Sequence, residues 1–124
     1  MICYTVDSSA WVSVMSGDKR SKKIESLLSK SKKVIVPSLV LFEVYKHIKK
    51  KAGEDEALKT CAYLSSFCIE ELDREIALSA ADISISTKLA MADSIVAAHA
   101  QRAGAKLLTC DNDFRVLDYA EILS

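Results

Sequence analysis

Short apolar runs alternate along this chain with longer stretches in which apolar residues recur at helical spacing. The apolar runs predict strands over residues 2–6, 34–36, 67–70, 106–109 and, less regularly, 121–123. Strands that alternate with helices usually pair in parallel, and helices then cover both faces of the sheet. The pattern therefore predicts an α/β fold, a three-layer α/β/α sandwich around a central, mostly parallel sheet of four or five strands.

Proline, glycine and capping residues set the predicted boundaries of the middle helices. Pro37 ends the second strand because it cannot donate to a sheet, and Ser38 is then placed to cap a helix over 39–50. Gly53 stops that helix, and the acidic run 54–56 suits the positive end of the next helix dipole. We assign these three carboxylates a structural role.

The last two helices are bounded in the same way. Asp73 can cap a helix whose apolar positions follow helical spacing, and Asp82 within it is expected to be exposed. The final helix is predicted from about Asp93 to Ala103, with Gly104 as its C-terminal cap.

Length and composition fit a single domain over residues 1–124. Half of the residues are hydrophobic, enough to form a core in a chain of 124 residues. Lysine plus arginine equals aspartate plus glutamate at 17 each, so the net charge does not indicate nonspecific polyanion binding. The basic residues do cluster, as in 19–23, 30–33 and 46–51, either as solvated helix faces or as a rim that binds phosphates.

The four cysteines, Cys3, Cys61, Cys68 and Cys110, form no CxxC pair, which argues against a zinc site or a disulfide framework. Cys3 and Cys110 fall inside apolar runs, where cysteine behaves as a small buried hydrophobe. The chain shows no basic-then-apolar leader and no apolar run near the roughly 18 residues that a membrane span needs. We therefore expect a cytoplasmic protein with reduced thiols and no membrane partner.

Four carboxylates stand where a predicted strand ends or a helix begins: Asp7, Glu43, Asp93 and Asp111. Asp7 and Asp111 each follow a strand, so both are expected at the carboxyl edge of the sheet, where α/β folds bind ligands. Taken singly, Asp7 and Asp93 could be ordinary helix caps. Glu43 lies on a segment that is apolar almost all round, so we expect it to be buried and to need a partner.

The partner of Glu43 is either a nearby cation, Lys46 or His47, or a metal ion shared by all four acids. Two like charges about 4 Å apart repel by roughly 4 kcal/mol at an effective dielectric near 20, and a divalent cation removes that conflict. Oxygen ligands favour Mg²⁺ or Mn²⁺ over zinc. Such ions activate water and stabilise charge on a phosphodiester, so hydrolysis of nucleic acid is the candidate reaction.

Other catalytic chemistries have weaker support in the sequence. His47 and His99 form no evident nucleophile–base pair, and we expect both to be structural or surface residues. The chain has neither a GxxxxGK[ST] nor a GxGxxG run, which argues against a nucleotide-cradling fold. A phosphoacceptor receiver domain would place an acidic pair after the first strand, where this chain has Asp7, Ser8 and Ser9.

Four sequence blocks carry a resemblance to a known family: 5–10 (TVDSSA), 36–44 (VPSLVLFEV), 92–100 (ADSIVAAHA) and 104–114 (GAKLLTCDNDF). In this order they resemble the PIN-domain ribonucleases, and most closely the single-domain VapC toxins of prokaryotic toxin–antitoxin modules. The resemblance runs nearly end to end. Each block alone is weakly specific. Four blocks in this order, across a chain of the length usual for the family, are a much more specific signal.

The resemblance implies a PIN-like fold and an acidic metal pocket formed by Asp7, Glu43, Asp93 and Asp111. Asp7 and Asp93 would be direct ligands of Mg²⁺ or Mn²⁺. Ser9 and Thr109 would support the pocket by hydrogen bonds. Asp113 lies in the same loop as Asp111, and either carboxylate could turn inward.

The resemblance also implies an endoribonuclease that uses metal-activated water and forms no covalent intermediate. It implies homodimers and a VapB-type antitoxin whose C-terminal segment wraps the toxin and occludes the pocket. We add the hypothesis that a basic helix end guides RNA phosphates to the pocket through Lys46, Lys49, Lys50 and Lys51. The alternatives are a solitary PIN nuclease in RNA processing and a non-catalytic RNA-binding or interaction module.

Overall fold

The computed structural model describes residues 2–124 as an alternation of strands and helices. The first half contains β1 (Cys3–Val6), α1 (Ser8–Ser16), α2 (Ser21–Ser29), β2 (Lys33–Pro37), α3 (Ser38–Ala52) and α4 (Glu54–Ser65). The second half contains β3 (Cys68–Glu70), α5 (Arg74–Thr87), α6 (Met91–Ala103), β4 (Lys106–Thr109), a 3-10 helix (Asn112–Val116) and β5 (Ala120–Ile122). All five predicted strands are present, each within two residues of its predicted ends.

The five strands form one sheet in the order β3-β2-β1-β4-β5, and every neighbouring pair is parallel. Thr5 of β1 lies opposite Ile35 of β2 and Leu107 of β4. The carboxyl ends of all strands therefore share one edge. The order reverses direction beside β1, and such a switch point opens the crevice in which α/β sheets bind ligands.

Both faces of the sheet are covered. One face carries a row of side chains that are at most 1% exposed, Thr5, Ile35 and Leu107, and the opposite face carries a fully buried row, Val6, Val36 and Leu108. A sheet with solvent on one side would alternate buried and exposed residues along each strand. The predicted three-layer α/β/α architecture with a parallel sheet is confirmed.

Two predicted helix starts are wrong by one or two residues. Pro37 closes β2 and occupies the N-cap position of α3, so Ser38 is the first helical residue and makes no cap hydrogen bond. Helix α6 begins at Met91, which places Asp93 in its first turn and not at its cap. In both cases an extended backbone residue without a capping side chain precedes the helix, a boundary that capping preferences do not reveal.

Several other predicted boundary features are confirmed. Asp73 caps α5 by accepting a 2.8 Å hydrogen bond from the backbone N–H of Ile76. Gly104 ends α6 in the left-handed conformation, with φ at 61°. The carboxylates of 54–56 form the acidic first turn of α4, and Asp82 is exposed on α5.

The expectation that the start of α3 is buried all round is wrong. Val40 and Val44 are fully buried, but Phe42 between them is 58% exposed. Helix α3 packs mainly along α4 and also meets α1, β2 and α6, and the side that carries Phe42 stays exposed. Hydropathy shows that a segment is apolar, but it does not show which neighbour covers it.

The cysteines are free thiols and each is half-buried, so Cys3 and Cys110 are less enclosed than their apolar runs suggest. Within residues 2–124, every helix is too short or too polar to cross a membrane.

Candidate metal centre

Asp7 follows β1 directly and occupies the N-cap position of α1, yet its side chain caps nothing. Its carboxylate oxygen Oδ2 accepts hydrogen bonds from the hydroxyls of Ser9 at 2.8 Å and Thr109 at 2.9 Å. The backbone of Asp7 starts the helix instead, because its carbonyl accepts from the N–H groups of Ala10 and Trp11. Asp7 therefore stands at the cap position of α1, but its side chain does not act as an ordinary cap.

The two hydroxyls tie the end of β1 to the loop that follows β4. Ser9 Oγ lies 3.2 Å from Thr109 Oγ1 and accepts from the backbone N–H of Cys110 at 3.0 Å. Thr109 Oγ1 in turn accepts from the backbone N–H of Asp111 at 2.9 Å. Every member of this network is at least partly shielded from water, so the Asp7 carboxylate is held in one orientation.

Three further carboxylates meet beside this network. One oxygen each of Asp93, Asp111 and Asp113 lies within 4.8 Å of the other two. Asp111 Oδ1 also accepts a 2.9 Å hydrogen bond from the N–H of Asp113, which starts the 3-10 helix. The sequence left open which of Asp111 and Asp113 turns inward. The structure brings both to Asp93.

Glu43 faces the same place from α3 and is half-buried. Burial and the nearby charge of Asp7 raise its pKa above the ordinary value, and a hydrogen bond with Ser8 partly offsets them. Among residues 2–124, Glu43 makes no ion pair within 4 Å. The interpretation that Lys46 or His47 neutralises Glu43 is therefore wrong.

A cavity of about 520 Å³ opens over these groups at the carboxyl edge of the sheet. Its polar walls carry four carboxylates and two basic side chains: Asp7, Glu43, Asp93, Asp111, Arg20 and His47. The four acids that the sequence singled out therefore line one cavity.

Two of the acids, Glu43 and Asp93, have pKa values above the ordinary ones. Burial raises the pKa of Asp93 to about 6, with further contributions from the charges of Asp7, Asp111, Glu43 and Asp113. A divalent cation would relieve this repulsion. The donors are all oxygens, and the spacing of 4.8 Å or less among those of Asp93, Asp111 and Asp113 is close to the roughly 4.2 Å that separates opposite ligands of one Mg²⁺. The residues fit Mg²⁺ or Mn²⁺.

Sequence reasoning missed the two basic groups of the cavity. His47 was expected to be structural or a surface residue, and it is exposed but also lines the cavity. Its place four residues after Glu43, on the same side of α3, was a usable signal. Arg20 lies outside the four blocks but inside the basic cluster 19–23, which the sequence left open as a solvated helix face or a phosphate-binding rim and did not connect with the acids.

The other predicted residues lie away from the cavity. His99 is fully buried, and its Nδ1 lies 2.7 Å from Glu70, so it has the structural role expected of it. Lys46, Lys49 and Lys50 line a neighbouring apolar groove on α3, and Lys51 is exposed beyond them.

Comparison with known proteins agrees with this architecture. The model of the PIN domain family matches residues 4–119. A toxin–antitoxin complex from Klebsiella pneumoniae contains a chain with a TM-score of 0.82, 24% identity and 95% of each chain covered. VapC20 from Mycobacterium tuberculosis, described as a sarcin–ricin loop cleaving toxin, has a TM-score of 0.78 at 20% identity, covering 98% of this chain and 99% of that one.

VapBC2 from Rickettsia felis, solved with a DNA fragment from its promoter, has a TM-score of 0.80 at 16% identity, covering 99% of this chain and 100% of that one. At these identities the solved structures establish a shared fold. A search of the curated proteins finds no match.

Proposed function

Because the chain belongs to the PIN domain family, we propose that it is a Mg²⁺- or Mn²⁺-dependent endoribonuclease that hydrolyses RNA phosphodiester bonds. One observation carries the proposal: Asp7, Glu43, Asp93 and Asp111 line a single cavity at the carboxyl edge of the sheet. Such a cluster raises the energy of the metal-free protein, and a site that tolerates this repulsion is a candidate for function.

Asp93 and the two acids of the 3-10 helix region, Asp111 and Asp113, would hold the ion, with Asp7 as a further ligand. When bound, Mg²⁺ or Mn²⁺ supplies an activated water and neutralises charge on the phosphodiester. The chain supplies orientation, because Ser9 and Thr109 fix the Asp7 carboxylate. Glu43 faces the same cavity, and its raised pKa brings it nearer to the value suited to accepting a proton.

The proposed biological role is that of the toxin in a VapBC-type toxin–antitoxin module, with a VapB-type antitoxin as partner. Structurally similar chains come from toxin–antitoxin complexes, which supports this role. An exposed apolar groove on α3, lined by Leu41, Phe42 and Tyr45, is the kind of surface that a protein partner covers.

The first observation to seek is a short open reading frame for a DNA-binding protein next to the gene for this chain. Co-expressed, that protein should copurify with this chain and inhibit RNA cleavage. Cleavage that no neighbouring gene product inhibits would favour a solitary PIN nuclease.

A homodimer is also part of the proposal. Leu78 and Ile85 lie about two turns apart on α5 and are 64% and 80% exposed. Light scattering on the purified protein should give twice the chain mass, and the double variant Leu78→Glu, Ile85→Glu should give the mass of one chain. A monomeric parent would contradict the dimer. A cytoplasmic location stays a prediction from the sequence.

The direct test of the activity is cleavage of single-stranded and structured RNA by the purified protein. Chelator should abolish cleavage, and Mg²⁺ or Mn²⁺ added in excess should restore it. Cleavage that persists in chelator would contradict metal-dependent hydrolysis. An RNA that binds without being cut under any metal condition would favour the non-catalytic module.

A further inference from the structure

Arg20 is the one lysine or arginine whose side chain lines the acidic cavity within the described part of the chain. It stands at the N-cap position of α2, and its side chain is 31% exposed. We propose that Arg20 binds a backbone phosphate of the RNA next to the bond that is cut. The proposal rests on the ribonuclease function proposed above and names a residue that holds the substrate.

The connection between α1 and α2 fixes the position of this side chain. Gly17 ends α1 in the left-handed conformation, with φ at 67°, and turns the chain so that Asp18 packs back onto the helix. There Asp18 Oδ1 accepts from the hydroxyl of buried Ser13 and, at 2.9 Å, from the backbone N–H of Arg20. The Ser13 hydroxyl and the backbone of the turn therefore hold Oδ1 of Asp18 in place without a contact from a side chain of the cavity.

Asp18 then holds the guanidinium. Its Oδ2 accepts from Arg20 Nη2 at 3.1 Å. The hydrogen bonds from Ser13 and Arg20 lower the pKa of Asp18 to about 2, so this anchor stays ionised over the whole physiological pH range. A guanidinium held by a permanent charge loses less conformational freedom when it binds a ligand, which is the advantage of preorganisation.

The outer end of the Arg20 guanidinium keeps a donor for a ligand. Across residues 2–124, its ion-pair partner within 4 Å is Asp18 and none of the cavity acids. Nη1 donates to none of the same residues, whereas Nε is buried and out of reach of a ligand. Planar guanidinium donors match the oxygens of a phosphate, to which arginine makes charge-assisted and often bidentate hydrogen bonds.

Charge explains why an RNA nuclease with this cavity needs such a group. Asp7, Glu43, Asp93 and Asp111 repel an incoming polyanion, and a bound divalent ion offsets only part of their charge. Arg20 places a fixed positive charge in the same cavity wall. Since phosphate contacts carry no sequence information, Arg20 should strengthen binding of every RNA segment alike.

The test compares Arg20→Gln and Arg20→Lys with a matched control, Lys22→Gln. Lys22 is exposed on the same helix and lies outside the cavity, so the control removes the same charge nearby. The readouts are kcat and KM for RNA cleavage, thermal unfolding, and the salt dependence of RNA binding. Binding is measured in an Asp93→Asn background so that the RNA stays intact.

Arg20→Gln should lower kcat/KM by about 10- to 100-fold, the loss expected for one charge-assisted hydrogen-bonding group. It should also reduce the slope of log K against log salt by about 0.7, the value for one phosphate contact on a single strand. Arg20→Lys should keep the salt slope and recover part of kcat/KM, because it keeps the charge but loses the planar fork. Lys22→Gln should match the parent in each measurement.

Equal kcat/KM and salt slope for Arg20→Gln and Lys22→Gln would overturn the proposal while leaving the ribonuclease function in place. If Arg20→Gln unfolds, Arg20→Lys decides: unchanged kcat/KM in that variant also overturns it. If the parent cleaves no RNA, the proposed function fails, and the salt slope alone then shows whether Arg20 binds phosphate. Arg20→Gln could also weaken inhibition by an acidic protein partner and leave RNA binding unchanged. That result would show that Arg20 binds the partner and would overturn the proposal.

Discussion

Thr109, the last residue of β4, donates a 2.9 Å hydrogen bond from Oγ1 to Oδ2 of Asp7, the residue that follows β1. The two residues are 102 positions apart in sequence but adjacent in space, because β1 and β4 are parallel neighbours with Val6 opposite Leu108. Thr109 is fully buried, so the bond is shielded from water. It joins two of the strand ends on which the candidate metal centre is built.

The first prediction concerns this bond. Thr109→Val removes the donor to Asp7 at nearly constant volume, and we expect a loss of about 10- to 100-fold in activity, the usual effect of removing a group that orients a metal ligand. Thr5→Val is the matched control: Thr5 is equally buried, and its hydroxyl has no hydrogen-bond partner within residues 2–124. RNA cleavage rates should fall for Thr109→Val alone. Equal rates for both variants would contradict an orienting role for Thr109.

The second prediction concerns the stability of the metal-free protein. The pKa of Asp93 is raised to about 6, above the ordinary 3.8 that it regains on unfolding. The folded state therefore binds a proton at Asp93 more tightly than the unfolded state does. The contribution of this proton to the free energy of unfolding is full below the ordinary pKa of 3.8 and is lost as the pH rises through about 6. Asp93→Asn should remove this loss and exceed the parent in free energy of unfolding by about 1–2 kcal/mol above pH 6, after allowance for solvent screening.

Urea unfolding in chelator between pH 4 and pH 8 measures this difference, with Asp82→Asn as the control because Asp82 is exposed on α5. Adding Mg²⁺ should stabilise the parent at pH 7 and leave Asp93→Asn nearly unchanged. A parent that is as stable as Asp93→Asn at every pH would contradict the raised pKa of Asp93.

The third prediction concerns a polar cluster that joins the end of β3 to α6, away from the cavity. Glu70 lies 2.7 Å from His99 Nδ1 and 3.0 Å from an Arg102 nitrogen. Burial raises the pKa of Glu70, but the hydrogen bonds and charges of these two partners outweigh it and leave the pKa below the ordinary value. The stabilisation is therefore present above the ordinary pKa of 4.5 and is lost as the pH falls below it.

Glu70→Gln should lower the free energy of unfolding at pH 7 by about 1–3 kcal/mol, because fully buried His99 and partly exposed Arg102 lose a charged partner. Glu71→Gln next to it changes an exposed carboxylate and should have little effect. Chemical unfolding of both variants from pH 3 to pH 7 should show the difference narrowing at low pH. A constant difference over that range would contradict a role for the Glu70 charge.

The fourth prediction concerns the basic end of α3. The helix leads from Glu43 at the cavity to Lys50 and Lys51, which are exposed and form no ion pair within residues 2–124. Reversing both charges to glutamate should weaken single-stranded RNA binding and reduce the salt slope by about 1.4, or about 0.7 for each lost phosphate contact. The control reverses Lys32 and Lys106, exposed lysines at the amino edge of the sheet. The same RNA affinity in both double variants would contradict guidance by α3.

The sequence predicted most of the secondary-structure elements and which acids meet at one edge of the sheet. Strand β4 matches its predicted range because Gly104 and Asp111 bound a short apolar run. Once the sheet is parallel, acids that follow different strands meet at one edge, so the meeting of Asp7 and Asp111 follows from topology alone.

The features of the site that the sequence did not predict depend on local backbone conformation. Asp111 and Asp113 both reach Asp93 because the 3-10 helix starts with a side-chain hydrogen bond within the loop, which periodicity cannot reveal. Arg20 sits in an irregular connection whose course is set by the left-handed Gly17 and the contacts of Asp18. Neither feature leaves a repeating pattern of apolar residues.

In the proposed mechanism, the convergent carboxylates hold a divalent ion that supports cleavage of RNA. The most direct measurement is the single-turnover rate of RNA cleavage at saturating Mn²⁺ for the parent, Asp93→Asn and the control Asp82→Asn. We predict that Asp93→Asn loses about a hundred- to a thousandfold in rate, as expected when a group that stabilises transition-state charge is removed, while Asp82→Asn cleaves like the parent. Cleavage by Asp93→Asn at the parental rate would contradict the account.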